Sequence, residues 1–455
     1  MSHGITLASF ASDLRWEDVP ASLQAKLLDH VVDTIGVMFA GLDMPSCESA
    51  RLAAAEWGDA DHATLVGLDT RAPASSAAFV NALHGRIHTY DDTYEPGTLH
   101  PGSPVIATCL AMAERLGADG RCFLGSAIAG YEVAARVAAA VSPGHYAYGF
   151  HNTGTCSVFG TTAAAAKLLG LDKKKFAETL GLAGAAAAGL RQHQIDGSMF
   201  DSALHGARAA QSGVMLAQMG AHGAGGPPGI LDGPMGFCKV MGPSGDPARL
   251  DAGLGSRYEF SQMTIKPYPT CRFAHGPTAA ALDLRQAHDI KAEQIASVEI
   301  AAFRQSIEVC DRPALNSALD ATFSHQYSVT LALVHGAVSL DMIRHPETAG
   351  ALAHDLLQRV KVVHDAELEQ DFPRCWPHRV SIVMRDGRRY ATRIDYPPGR
   401  TSPISASVVD AKFIQNSAPY LGDDGAIQAL EALRSIAAAS DIRPVARLLS
   451  TRQTS

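Results

Sequence analysis

RVSIVMRDGRRYATRIDY, residues 379–396, is the stretch that decides the fold. Two short β-rich runs, Arg379–Met384 and Tyr390–Tyr396, flank Arg385-Asp386-Gly387-Arg388. Asp-Gly at the centre of such a short connection signals a hairpin, because the tight turn needs positive φ and glycine supplies it without steric penalty. Working outward, Ala296–Ala301 and Arg359–His364 have the same texture, and helical patterns at Gly276–His288 and Tyr327–His335 accompany them. Residues 266–400 are therefore predicted to form an α+β domain.

Upstream, the chain reads as helix. Pro20 opens a helix that ends near Gly41, with Leu23, Leu27, Val31 and Ile35 on one face. Further helices are predicted at Ala74–His88, from Pro104 to Leu116 with Gly117 as its stop, at Phe123–Ala140, at Val158–Leu169 with Gly170 as its stop, at Leu180–Leu190 and at Leu204–Met219. No sheet is predicted before residue 266. Residues 220–236 are dense in Gly and Pro and read as turns. From Asp410 the chain is helical again, and this tail is too short to build a core alone. The fold class is thus mainly α with an α+β second domain: an all-helical domain over 1–265, an α+β lid domain over 266–400, and a helical segment over 401–455 that returns to the first domain.

Hydrophobic residues make up 47% of the chain and aromatics only 6%, a balance that suits closely packed, Ala-rich helices. The net charge of -8 argues against a nucleic-acid partner, which needs a basic field, but leaves room for a local cationic site. The eight cysteines show no C-x-x-C spacing and read as reduced thiols of a cytoplasmic protein. The N-terminus lacks a basic region followed by an apolar one, and no apolar run is long enough to span a bilayer, so neither secretion nor membrane insertion is expected.

Four segments concentrate polar groups on this Ala-rich background: His88–Ser103, Tyr148–Cys156, Gly197–Arg208 and Lys266–His275. The last carries Lys266, Arg272 and His275 on a stretch stiffened by Pro267 and Pro269, and can be read either as a carboxylate-binding set or as a solvated basic loop. His151 precedes an Ala-rich helix and can be read either as a structural histidine or as part of an anion pocket at that helix's N-terminus. Asp91 and Asp92 are adjacent, so they do not form a dyad, and either can be read as a helix cap. Metal binding by His88, Asp91, Asp92 and His100 is conceivable, but they follow no recognised ligand spacing, so no metal is expected. There is no nucleophile elbow, catalytic cysteine signature or phosphate-binding fingerprint.

In this order, DDT…HPGSPV (Asp91–Val105), GYEVAARV (Gly130–Val137), GFHNT…FGTTAAAAKLLGLD (Gly149–Asp172), LHGARAAQSGV (Leu204–Val214) and KPYPTCRFAH (Lys266–His275) resemble the MmgE/PrpD family over nearly the whole chain. That family includes 2-methylcitrate dehydratase, cis-aconitate decarboxylase and iminodisuccinate epimerase. The resemblance implies a helical domain with an α+β lid, a homodimer, a small di- or tricarboxylate substrate, and proton transfer next to a carboxylate without metal or organic cofactor. A lyase, dehydratase or decarboxylase, is expected first and an isomerase or epimerase second, followed by recruitment to an unrelated substrate and a silent binding protein. By resemblance, Thr93, His100, His151 and Lys266 match active-site positions. His151 and His100 are expected to exchange protons and Lys266 and Arg272 to hold carboxylates. Asp91 and Asp92 are grouped with the catalytic residues, and His275, His205, Ser202 and Thr89 with Thr93 in substrate binding. Two positions depart from the family pattern: Thr89 stands where many relatives carry Asp, and Ser202 where they commonly carry Lys.

Overall fold

The structure is a computed structural model that describes residues 2–451. The chain divides into two compact units: residues up to 87, 91–265 and from 405 onward form the first, and 88–90 with 266–404 form the second.

The first unit is built on buried helices at Ala21–Ala40, Ala74–Arg86, Gly102–Leu116, Gly120–Val141, Ser157–Leu168 and Met199–Ala221. Small residues let them approach closely. A Cβ added at Gly160 would lie 2.5 Å from the Gly130 carbonyl oxygen, so the two backbones pack with no room for a side chain. Gly120–Val141 is long and apolar enough to cross a bilayer, yet its apolar window is wholly buried within the unit. It also carries a buried ion pair. Arg136 Nε donates to Glu132 at 2.9 Å, and its other nitrogens donate to the carbonyls of Ala252 and Arg257 at 2.9 and 2.6 Å. Glu132 in turn accepts from the Phe260 amide at 2.7 Å, so this pair anchors the Gly-rich chain that follows the helices. Gly117 and Gly170 end their helices at φ +62 and +65, as their positions in the sequence predict.

The helix Ala406–Arg434 belongs to this unit and packs on Ala21–Ala40, where Lys412 meets Asp33 at 2.7 Å and Arg434 meets Asp29 at 2.5 Å. Beyond it the chain pairs with the start of Gly120–Val141. The Gly120 amide donates to Ala439 at 2.8 Å and the Ile442 amide donates to Ala118 at 3.0 Å. A Cβ at Gly120 would come within 1.6 Å of the Ile436 carbonyl oxygen. Backbone cannot yield as a side chain can, so Gly120→Ala is expected to destabilise the protein by about 3 kcal/mol, read as a lower urea midpoint with an unchanged slope.

Two expectations fail in this unit. The helix predicted at Leu180–Leu190 ends at Leu182, passes through a 3₁₀ turn at Ala183–Ala186 and becomes extended. Its alanines favour helix, but the following backbone is claimed by distant partners: the His151 amide donates to the Gly189 carbonyl at 3.0 Å, and the Arg191 amide to Gly149 at 2.8 Å. Sheet also occurs before residue 266. Ala63–Thr64 pairs with Arg71–Ala72, and Thr93–Tyr94 pairs with Met263–Thr264. Each strand is two residues long, too short to leave a period in the sequence.

In the second unit Ile295–Ala302 lies between Val360–His364, to which it is parallel, and His378–Met384, to which it is antiparallel; Arg389–Ile394 completes the sheet. The predicted hairpin is present, with Gly387 at φ +89. Val298, Ile300, Val380 and Ile382 turn to one face and pack on Ala280, Ala281, Leu284, Val329 and Leu333 from the helices Arg272–Ala287 and His325–His335.

Each unit buries histidines that are uncharged when folded. His84 in the first and His325 in the second are both held down to about 4, mainly by burial. Unfolded, each takes up a proton near 6.5. The unfolded chain therefore binds more protons between those values, and stability present above pH 6.5 is lost as pH falls toward 4. The loss is about 3 kcal/mol per site. Thermal melts between pH 7 and 4.5 should show a falling midpoint, and the fall should be shallower in His84→Gln.

Candidate functional site

In the first unit the chain after Ala74–Arg86 is organised by two adjacent carboxylates, both fully buried. Asp92 accepts from His30 Nδ1 at 2.7 Å, the Tyr131 hydroxyl at 2.8 Å and the Gly102 amide at 2.8 Å. These three donors come from three helices, so Asp92 ties the segment to the core. Asp91 accepts from Arg86 Nη1 at 2.7 Å and from Ser103 Oγ at 2.9 Å. His100 is half-buried, and its Nδ1 lies 2.8 Å from the Asp92 carbonyl oxygen and 3.2 Å from Thr93 Oγ1. A carbonyl only accepts, so Nδ1 carries a proton and donates it to Asp92. Its backbone amide donates to Thr153 Oγ1 at 3.2 Å.

Beside this segment, within the same unit, three imidazoles converge. His151 caps the turn Asn152–Thr155, His193 lies in Gln192–Asp196 and His205 in Met199–Ala221. His151 Nδ1 and His205 Nδ1 are 2.8 Å apart, so they share one hydrogen between them. The ring centroids of His193 lie 4.8 Å from His151 and 5.3 Å from His205. His193 Nδ1 is 2.9 Å from the Leu190 carbonyl oxygen and must donate to it, which leaves the lone pair on Nε2. Burial pushes His151 well below its ordinary value, and the neighbouring imidazoles and Arg86 push it further. Burial likewise lowers His193 and His205, and Asp201 works against this at His205. The three rings are therefore neutral at pH 7.

Arg86 is 4% exposed. Its Nε has no hydrogen-bond partner, and its Nη2 is 3.5 Å from Ser202 Oγ, at the outer limit of contact. The position where the resemblance expects a lysine thus faces a guanidinium from another helix. Neutral imidazoles can take or give a proton, and a guanidinium with an unspent N–H can hold a carboxylate. An arriving anion would raise the proton affinity of the rings and allow one of them to charge.

The second unit holds its own cluster. Lys266 is fully buried and its Nζ donates to the Thr89 carbonyl; the Tyr90 hydroxyl reaches the Pro267 carbonyl at 3.4 Å. Thr89 sits at φ +53 with a buried, unpartnered hydroxyl. A β-branched residue in the left-handed region is strained by about 1–3 kcal/mol, a feature that concentrates at functional sites. Arg272 opens its helix and Nη1 lies 3.3 Å from His275 Nδ1; His275 Nε2 lies 3.3 Å from the Thr270 carbonyl oxygen.

The first unit thus gathers Asp91, Asp92, Thr93, His100, His151, Ser202 and His205, and the second gathers Thr89, Lys266, Arg272 and His275. Sequence reasoning passes over Arg86, His193, His30 and Tyr131. Tyr131 lies within GYEVAARV and Arg86 sits at the end of a predicted helix, but nothing local separates them from ordinary core or cap residues. His193 follows the Leu180–Leu190 stretch misread as helix, which hid the turn that carries it.

Comparison with known proteins covers both units. The MmgE/PrpD N-terminal domain model matches residues 5–250 and the MmgE/PrpD C-terminal domain model matches residues 268–435. A cis-aconitate decarboxylase of Aspergillus terreus (strain NIH 2624 / FGSC A1156) is 26% identical, over 98% of this chain and 96% of the relative. Cis-aconitate decarboxylase of Mus musculus is 25% identical, over 92% of this chain and 87% of the relative. That of Homo sapiens is 23% identical, over 92% and 88%.

Proposed function

The chain belongs to the MmgE/PrpD family, and from that premise we propose that it is a carbon–carbon lyase that decarboxylates a small tricarboxylate, with cis-aconitate as the first substrate to try. The observation that carries this reading is the neutral histidine cluster beside the Arg86 guanidinium. Decarboxylation breaks a carbon–carbon bond, releases CO₂ and leaves the electron pair on the remaining dicarboxylate. A proton must then be delivered to carbon. Arg86 holds a substrate carboxylate through its unspent Nε–H. The bound negative charge lets the His151–His205 pair take one proton from solvent, and His151 delivers it to the carbon. His100, whose Nδ1 donates to the Asp92 carbonyl, is a second group able to exchange protons. In the second unit, Lys266, which matches a family active-site position by resemblance, and Arg272 are the cations expected from the sequence to hold carboxylates. No metal or organic cofactor enters these steps. A cytoplasmic homodimer remains the expected form.

Epimerisation is the second reading, because a hydrogen-bonded pair of neutral imidazoles can remove a proton as readily as return one. Dehydration stands behind it. Proton NMR in D₂O separates the three. The protein is offered cis-aconitate, citrate, 2-methylcitrate and iminodisuccinate separately. Decarboxylation of cis-aconitate to a deuterated dicarboxylate supports the proposal. Exchange of a C–H for C–D without loss of carbon supports the isomerase, and a new alkene from citrate or 2-methylcitrate supports a dehydratase. No change in any acid rejects all three.

A further inference from the structure

We propose that His151, His193 and His205 form a binding site for one borderline divalent transition-metal ion of the Zn²⁺ type. Their candidate ligand nitrogens all lie within 4.8 Å of one another, and each residue is buried. Among the described residues this is the group of His, Cys, Asp and Glu side chains drawn together tightly enough to hold an ion. Sequence spacing could not announce it, because the three residues come from separate segments.

The protonation pattern already suits a metal. His193 donates from Nδ1 to the Leu190 carbonyl at 2.9 Å, and this fixes Nε2 as its ligand atom. A metal-bound imidazole characteristically spends its other nitrogen in this way. His151 and His205 face each other through Nδ1 at 2.8 Å, a contact that needs one shared hydrogen. An ion would replace that hydrogen. In a tetrahedral zinc site neighbouring nitrogens are about 3.3 Å apart, so this pair opens by about 0.5 Å while His193 swings inward. With Nδ1 on the ion, His205 Nε2 bears a proton facing Asp201, whose Oδ2 is 3.6 Å away; the same oxygen lies 3.9 Å from His193 Nδ1. Asp201 is thereby the outer carboxylate of the set. Three protein ligands leave a fourth position open. An all-imidazole set favours Zn²⁺, Co²⁺ or Ni²⁺ over Mg²⁺ and Ca²⁺, which want oxygen. Arg86 opposes a cation here, but Asp91 at 2.7 Å cancels most of its field at a distance. Burial keeps the rings neutral, so their lone pairs are available at pH 7. An ion held between His151 and His205 ties up the imidazole pair proposed to exchange protons, so it acts as an inhibitor of that chemistry.

The full chain, stripped with a chelator and dialysed, is titrated with Zn²⁺ by equilibrium dialysis and with Co²⁺ by visible absorption. The expected result is one Zn²⁺ per chain and the intense visible band of a four-coordinate Co²⁺ ion. Both should be lost in His193→Ala and in His193→Gln, which fills the space without an imidazole. Asp201→Asn should weaken binding by about 10–100-fold, while His222→Ala should bind as the native chain does. Absence of a stoichiometric site in the native chain overturns the proposal, as does binding that survives both His193 variants. Because binding is read without any carboxylate present, it stands or falls independently of the lyase reading.

Discussion

Replacing His151 by glutamine is expected to lower the rate of cis-aconitate decarboxylation by about 100- to 10,000-fold, the range that a positioned proton donor contributes. Glutamine keeps the volume of the imidazole and can still hydrogen-bond to His205 Nδ1, which lies 2.8 Å from the histidine it replaces. The His151 backbone, which accepts from the amides of Gly154 and Thr155 at 2.9 and 3.2 Å, is untouched. The variant should therefore melt within a few degrees of the native protein, and a loss of rate without a loss of fold can be read as chemistry. The check is initial CO₂ release at saturating substrate alongside a thermal melt. An unchanged rate would remove His151 from the proton path and leave His205, His193 and His100 as candidates in the first unit.

The second large effect concerns Arg86 and Asp91. Both are nearly excluded from water and 2.7 Å apart. Arg86→Met takes the guanidinium away from the Asp91 carboxylate, whose contacts include the Ser103 hydroxyl at 2.9 Å. Leaving one partner of a buried ion pair uncompensated costs about 3–5 kcal/mol. Adding Asp91→Asn removes the stranded charge while keeping an oxygen for Ser103 Oγ, and it should recover most of that loss. Urea unfolding of the two single variants and the double variant closes the cycle. Strong coupling is the expected result, and additive effects would mean that the pair contributes little. The double variant also separates stability from binding. Folded again but without the guanidinium, it should still fail to hold the carboxylate and so show a raised KM.

How far the sequence discloses this molecule depends on the range of the forces involved. Arg385–Arg388 is legible because an Asp-Gly turn and its flanking strands are fixed by neighbours in the chain. Gly117 and Gly170 are legible because a helix end that needs positive φ needs glycine. The Leu180–Leu190 stretch is misread because its alanines prefer helix, while Gly189 is held extended by the amide of His151, far away in sequence. The pairing of Thr93–Tyr94 with Met263–Thr264 is likewise a long-range contact that leaves no local period.

The candidate site divides along the same line. Asp91, Asp92, His100 and His151 stand out because polar groups are rare in an Ala-rich chain. What they do there is not legible. Asp92 shows in the sequence only as one of two adjacent carboxylates, yet it is the point where His30, Tyr131 and Gly102 meet. Arg86 and His193 carry no local mark, and they matter because the fold places them against His151 and Ser202. The departures at Thr89 and Ser202 also gain a physical context. Ser202 faces Arg86, which offers a cation where a lysine is absent, and Thr89 is held in a strained backbone conformation with its carbonyl bound by Lys266.

The most direct measurement is the stoichiometry of CO₂ release and carbon deuteration when the native chain turns over cis-aconitate in D₂O. If buried imidazoles that exchange with solvent deliver the proton, each CO₂ released must be matched by one new C–D bond in the product. Release of CO₂ without that deuterium, or no turnover of cis-aconitate at all, would contradict the account.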